Sequence, residues 1–279
     1  MCLVVSSVDP HGLGSGSGGL RSSGEAGGEL AVLAANLAAV RARLAAAAGR
    51  GGRDVSEVRL LAVSKTVSEE RIRLAVQAGC CDLGENKVQE LTRKRLALGD
   101  LDVSWALIGH LQTNKVRDAV RHADEFHALD RLKLAEALDR RLQTEGRGLD
   151  VFVQVNTSGE ASKFGLAPEA LSGFLDELVH FRSLRVRGLM TLAAFDPDPE
   201  RSRGCFALLR RLRDETRQRD PDLIGPGELS MGMSGDFEVA VEEGATSVRV
   251  GQSIFGARAL PDSHYWPDKS GITPPSGER

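Results

Sequence analysis

Eight short apolar runs alternate with helix-length amphipathic stretches between residues 29 and 260, and this alternation constrains the fold more than any other feature. The runs at 58–63, 81–84, 103–108, 125–129, 151–155, 186–190, 228–231 and 247–250 read as strands. Helical stretches follow them, beginning near Ser68, Asn86, Asn114, Asp130, Pro168, Glu200 and Phe237. Ser68 and Asp130 are placed as N-caps, Pro168 suits a first helical turn, and Gly79 and Gly244 are stop signals. Consecutive parallel strands need a crossover helix, so eight such units predict a closed α/β barrel of the TIM (β/α)8 type. An open doubly wound sheet is the structural rival. No Gly-x-Gly-x-x-Gly follows the first strand, which weakens that rival's dinucleotide-binding version.

An additional helix is expected in front of the barrel over 29–48, with Leu30, Leu33, Leu37, Val40 and Leu44 on one stripe. Residues 1–28 read as a Gly/Ser-rich leader, 29–260 as the barrel, and 261–279 as a flexible Pro/Gly/Ser-rich tail. The first ten residues lack a cation and contain Asp9, unlike a signal peptide. No uncharged apolar run reaches roughly 18 residues, so no membrane span is expected. A net charge of −3 gives no reason to expect nucleic acid as a partner. Cys2, Cys80, Cys81 and Cys205 form no C-x-x-C pair, and His122 and His127 lack a third ligand at metal spacing. The expectation is a reduced, cytoplasmic, monomeric protein without a metal.

Of 36 cationic side chains only seven are lysines, so where this chain needs a generic positive charge it uses Arg. Each Lys is therefore informative: Lys65, Lys87, Lys94, Lys115, Lys133, Lys163 and Lys269. Chemistry in this fold lies at the C-terminal ends of the strands. Lys65 follows Leu60-Leu61-Ala62-Val63 almost directly and projects from an apolar strand into the mouth. Burial lowers a Lys pKa, and the neutral amine can form a Schiff base with an aldehyde. The plainer alternative is a Lys that pairs with Glu85 in the mouth and does no chemistry.

The last two strand ends bear on that choice. Ser230-Met231-Gly232-Met233-Ser234-Gly235-Asp236 runs from a strand into a short helix, an arrangement suited to holding phosphate on backbone N–H groups. Arg249-Val250-Gly251-Gln252 ends the neighbouring strand, where phosphate sites of this fold commonly sit. A mouth lysine beside a phosphate cradle points to a cofactor that is both aldehyde and phosphate, pyridoxal 5′-phosphate (PLP).

Six segments carry a family resemblance: 60–66 (LLAVSKT), 84–90 (GENKVQE), 108–115 (IGHLQTNK), 187–191 (RGLMT), 229–236 (LSMGMSGD), and 248–251 with 254–256 (VRVG, IFG). In these the chain resembles the pyridoxal phosphate homeostasis proteins, similar in fold to the barrel domain of alanine racemases, over about residues 37–258. The resemblance implies that Lys65 holds PLP as a Schiff base and that Arg249 faces the pyridine nitrogen. Ser234 and Gly251, with Met233 and Gln252 beside them, would cradle the phosphate, and Asn86 would touch the ring. A charged guanidinium only donates hydrogen bonds, so the ring nitrogen would stay unprotonated and the ring would be a weaker electron sink. The chain departs from the family pattern at Lys87, where Tyr is common, and at Ala106, where His is common.

The implied function is intracellular PLP homeostasis without a dedicated catalytic turnover, with PLP-dependent apo-enzymes as the expected recipients. The alternative is an amino-acid racemase or decarboxylase of the same fold. Racemisation needs a base on each face of the cofactor, and the only tyrosine, Tyr265, lies in the tail. A Schiff-base aldolase acting on a phosphorylated sugar is a third class. The sequence assigns no role to Lys87, Lys163 or Tyr265.

Overall fold

The structure is a computed structural model and describes residues 23–193 and 198–257. Eight strands form a closed parallel barrel in chain order. They are β1 (Arg59–Val63), β2 (Asp82–Glu85), β3 (Ser104–Leu107), β4 (Glu125–Leu129), β5 (Leu149–Gln154), β6 (Leu184–Met190), β7 (Glu228–Met233) and β8 (Ser247–Val250). Helix α1 (Ser23–Arg50) precedes the barrel. The surrounding helices are α2 (Glu69–Gln77), α3 (Val88–Ala97), α4 (Val116–His122), α5 (Leu132–Glu145), α6 (Leu171–Leu178), α7 (Glu200–Arg219), α8 (Phe237–Glu242) and α9 (Gln252–Phe255). β8 pairs with β1 through Leu60–Val248 and Ala62–Val250, which closes the ring and sets the last strand end beside Lys65.

The expected barrel and its leading helix are present, with instructive differences. β5 and β6 start two residues earlier than their apolar runs. Their first residues include Asp150 and Arg185, which pair at 2.5 Å at the N-terminal end of the barrel and break the apolar signal. α9 spans four residues, too short to show a helical period. Ser68 caps α2 as expected, its Oγ accepting from the Arg71 N–H at 3.3 Å. Asp130 does not cap α5: Arg131 occupies that position with no side-chain cap bond. Arg131 Nη1 instead donates to Asp130 at 2.6 Å, so a half-buried cation next in sequence outcompetes the backbone amides.

α1 bears on the expectation of no membrane span. Residues 26–50 are long and apolar enough by composition to cross a membrane, because alanine between the leucines raises the average even though three arginines interrupt it. In this fold Leu33, Leu37, Val40, Leu44, Ala47 and Ala48 form a fully buried stripe, packed against α2, α8 and α9. Arg43 reaches across to Glu238 at 2.8 Å and Arg50 to Glu242 at 2.7 Å, so α1 is also tied to α8 by charge.

Most of the core lies between the barrel's outer face and the helices. Inside the barrel the apolar cluster is small, made by Leu61, Val63, Ala106 and Ile108. Gly84 completes this layer, since a Cβ there would come within 3.2 Å of Leu61. Much of the remaining interior is polar, with Phe152 packed on the ring of His127, and that polarity reaches the site.

Candidate functional site

The ends of β7, β8, β1 and β2 are neighbours around the closed ring, so the seven residues expected at the site converge on one sector of the mouth. Lys65, Gly251 and Gln252 line one groove of about 880 Å³, together with Thr66, Ser68 and Phe255. Gly251 makes this junction possible: a Cβ there would lie 3.0 Å from the Val63 carbonyl oxygen. Asn86 is half-buried just past β2, and Gly109 packs so closely on it that a Cβ would collide with the Asn86 carbonyl.

The end of β7 is shaped by Gly232, which takes φ +91° and leaves only 2.6 Å between a would-be Cβ and Ala240 Cβ. The register of β7 against β8 shifts between Ser230 and Met233, which places Met233 opposite Arg249. Ser234 Oγ accepts from the Gly251 N–H at 3.2 Å and so joins the two strand ends. The Met233 N–H is already donated to Asp236 Oδ1 at 2.6 Å. Among the described residues, the N–H groups of Ser234, Gly235, Gln252 and Ser253 have no protein acceptor. The turn therefore offers donors from Ser234 onward rather than from Met233.

Arg249 is buried in the mouth floor. Nη1 donates to Ser230 Oγ at 2.6 Å and Nη2 to the Thr191 carbonyl at 2.7 Å. Burial pulls its pKa down to about 10, partly opposed by Asp236, so the guanidinium remains charged at neutral pH. From Ser230 a hydrogen-bonded chain descends through the barrel. His127 Nδ1 lies 3.0 Å from Ser230 Oγ, and its Nε2 lies 2.8 Å from Glu125 Oε2. Glu125 in turn holds Arg59 at the first residue of β1, with Nη2 at 2.6 Å. Donor rules fix each proton: Ser230 accepts from Arg249, so its hydroxyl donates to Nδ1, and His127 carries its proton on Nε2 toward the carboxylate. Burial lowers the His127 pKa and keeps the ring neutral, against the pull of Glu125. Burial alone would raise the Glu125 carboxyl, but the bonds from Arg59 and His127 win and hold it below the usual carboxylate range.

This chain was not legible in the sequence. Glu125 and His127 occupy alternate positions of a strand read as apolar, and only the period-two side of β4 that faces inward carries the signal.

The plainer alternative for Lys65, a pair with Glu85, is not how Glu85 is used. Its Oε1 receives Lys94 Nζ at 2.7 Å and Ser64 Oγ at 2.7 Å, and Oε2 has no hydrogen-bond partner. Lys94 and Glu85 are both fully buried. Desolvation pushes Glu85 up to about 7, with Lys94 acting against it. Lys94 was flagged only by the scarcity of lysine; its helix position gave no hint that it points under the mouth.

Other flagged groups have definite places. Lys87 is exposed at the N-cap of α3. Lys163 Nζ donates to the Ala193 carbonyl at 2.7 Å and pairs with Glu160 at 3.0 Å, which ties the loop after β5 to the end of β6. His110 stacks on Phe164 with ring centres 4.0 Å apart. The Arg-rich α7 meets counter-charges at the end of α8, Arg203 bridging Glu242 and Glu243. Tyr265 and the tail lie outside the described residues.

The alanine racemase N-terminal domain family matches residues 33–259 of this chain. A pyridoxal phosphate homeostasis protein of Pseudomonas aeruginosa is 43% identical over 231 residues, which is 82% of this chain and 97% of the relative. One from Aquifex aeolicus is 43% identical over 222 residues, 80% of this chain and 96% of the relative. The solved structure of PipY from Synechococcus elongatus with PLP bound superposes with a TM-score of 0.71 at 38% identity, covering 80% of this chain and 100% of PipY. Alanine racemase from Corynebacterium glutamicum shares the fold alone, with a TM-score of 0.63 at 16% identity over 82% of this chain and 62% of the racemase. With a closed eight-stranded barrel, a lysine at the end of its first strand and relatives of this identity over nearly their whole length, the chain belongs to the pyridoxal phosphate homeostasis protein family.

Proposed function

We propose that this protein binds pyridoxal 5′-phosphate covalently through Lys65 and serves intracellular PLP homeostasis rather than a dedicated turnover. The observation that carries the reading is the shared groove: Lys65 and the start of α9 line one groove beside the β8–β1 closure of the barrel. When bound, PLP supplies a reactive aldehyde and an electron-accepting ring.

The residues present fit that group. Free N–H groups at Ser234, Gly235, Gln252 and Ser253 suit a phosphate, since unengaged backbone amides at turn and helix starts attract anions. Ser234 and Gly251 hold the two strand ends together, and Met233 and Gln252 flank the cradle. Lys65 lines the same groove as Gly251 and Gln252, on the side where the aldehyde of a group with its phosphate at α9 would lie. Arg249 is fixed by Ser230 and Thr191, and its remaining N–H groups would face the ring nitrogen. A permanently charged donor there withholds a proton from the nitrogen, so the site favours holding the aldehyde over stabilising a carbanion. Asn86, at the adjacent strand end, would border the ring.

We further propose a cytoplasmic monomer whose recipients are PLP-dependent apo-enzymes. The test pairs binding with turnover. Purified protein titrated with PLP should develop a visible absorption band, with no racemisation of alanine and no decarboxylation of Lys, Arg or ornithine above free PLP. Sustained PLP-dependent turnover of any of these would overturn the non-enzymatic reading.

A further inference from the structure

Both chain neighbours of Lys65 are locked into a charged cluster beneath the mouth. Ser64 and Val67 close a turn, the Val67 N–H donating to the Ser64 carbonyl at 3.0 Å, with Lys65 and Thr66 at its centre. Thr66 has φ 67°, the only non-glycine residue with positive φ among those described. A β-branched residue in the left-handed region is strained, and a turn with positive φ at its third residue ordinarily uses Gly or Asn. Something must hold the central peptide in this orientation.

Lys94 and its partners do so. From α3, Lys94 Nζ donates to the Ser64 carbonyl at 2.6 Å, to Glu85 Oε1 at 2.7 Å and to Glu90 Oε1 at 2.7 Å. Glu85 also receives the Ser64 hydroxyl, at 2.7 Å. Glu90 Oε1 accepts the Thr66 N–H, at 2.7 Å. The ammonium therefore fixes the turn's first carbonyl, while the carboxylate it orients fixes the central amide. In the commoner type I turn the central peptide is flipped, and the Thr66 N–H would point away from Glu90.

We propose that Lys94, through Glu85 and Glu90, is a positioning group that sets the direction of the Lys65 side chain by holding the Ser64–Val67 turn in its strained form. Lys94 touches no aldehyde and acts only through the turn. Such a buried cluster is an expensive way to add stability, because desolvating the charges offsets most of their attraction. Its return is a defined geometry at one residue.

The inference rests on the reading that Lys65 carries PLP, and the experiment separates the two. Glu90→Ala removes the Thr66 anchor and one of the three acceptors of Lys94, and leaves the Lys94–Glu85 and Lys94–Ser64 bonds in place; Glu90 is partly exposed, so folding is spared. The rate at which the visible band forms with PLP should fall about tenfold, equivalent to losing one ordinary hydrogen bond's worth of alignment. Affinity for pyridoxine 5′-phosphate, which has no aldehyde to condense, should stay within about twofold, because the phosphate and ring-nitrogen contacts proposed above lie at the ends of β7 and β8 and at α9, away from Glu90. Adding Thr66→Gly should restore the rate, since Gly takes positive φ without the anchor. Lys94→Met combined with Glu85→Gln, which removes the buried charges together, should repeat the rate defect.

An unchanged rate in Glu90→Ala, or a parallel loss of pyridoxine 5′-phosphate affinity, would overturn the positioning role while leaving the Lys65 assignment intact. A borohydride adduct found away from Lys65 in the unmutated protein would remove both.

Discussion

Replacing Arg249 by Met tests how the site divides its labour between a covalent and a non-covalent hold. Met keeps the unbranched stem inside the barrel and deletes the guanidinium, so the loss is polar rather than volumetric. Two bonds disappear, to Ser230 Oγ and to the Thr191 carbonyl. Ser230 still donates to His127. The Thr191 carbonyl is left buried without that donor, a penalty of about 1–3 kcal/mol. Relief of a desolvated charge offsets part of it, so the protein should remain folded. Toward PLP, the variant loses one hydrogen bond from a charged donor to the ring nitrogen. Such bonds are worth about 1.5–3 kcal/mol, or roughly 10- to 200-fold in affinity. The assay is a PLP titration followed by visible absorbance, with thermal unfolding as a folding control. The band should reach full amplitude at saturating PLP with the midpoint moved by that factor. A folded variant with no band at saturation would refute the reasoning, because the covalent anchor would then not be elsewhere. An unmoved midpoint would refute the placement of Arg249 against the ring.

Two further outcomes follow from the barrel interior. Gly109→Ala drives a Cβ into the Asn86 carbonyl, a backbone group that cannot rotate away; unfolding should come at lower denaturant, by at least about 1–3 kcal/mol as for overpacked cores, and wild-type stability would contradict the contact. Glu125 has its folded pKa depressed, so its stabilising contribution is present above the unfolded carboxyl value and is lost as pH falls below it. The stability gap between the unmutated protein and Glu125→Gln, from urea melts, should therefore be larger at pH 6 than near pH 2–3, with a constant gap counting against the Arg59–Glu125–His127 chain.

Much of the architecture was legible because parallel barrels write themselves as alternating periods, and β4 and β8 were read to the residue. The mouth was legible for a related reason. Lys65, Ser234, Arg249 and Gly251 follow or end apolar runs, so topology alone predicts that they share a face. The groups below the mouth were harder to read. Lys94 sits on α3 among charged residues, and only the tertiary packing reveals that its ammonium is turned inward beneath Ser64. Glu125 and His127 lie two residues apart in a strand, and that period-two pairing is the single sign in the sequence that its inner face is polar. Met233 shows the limit at the site itself: its position was foreseen, but its N–H is taken by Asp236, a local bond that no spacing rule anticipates.

The central claim is that Lys65, among seven lysines, carries the cofactor. Borohydride reduction of the PLP-loaded protein, followed by peptide mapping, reads this directly, since reduction converts the Schiff base into a stable pyridoxyl adduct. The account predicts one dominant adduct, on the peptide containing Lys65, and loss of the visible band in Lys65→Ala. An adduct chiefly on Lys163, Lys87 or Lys115 would contradict it.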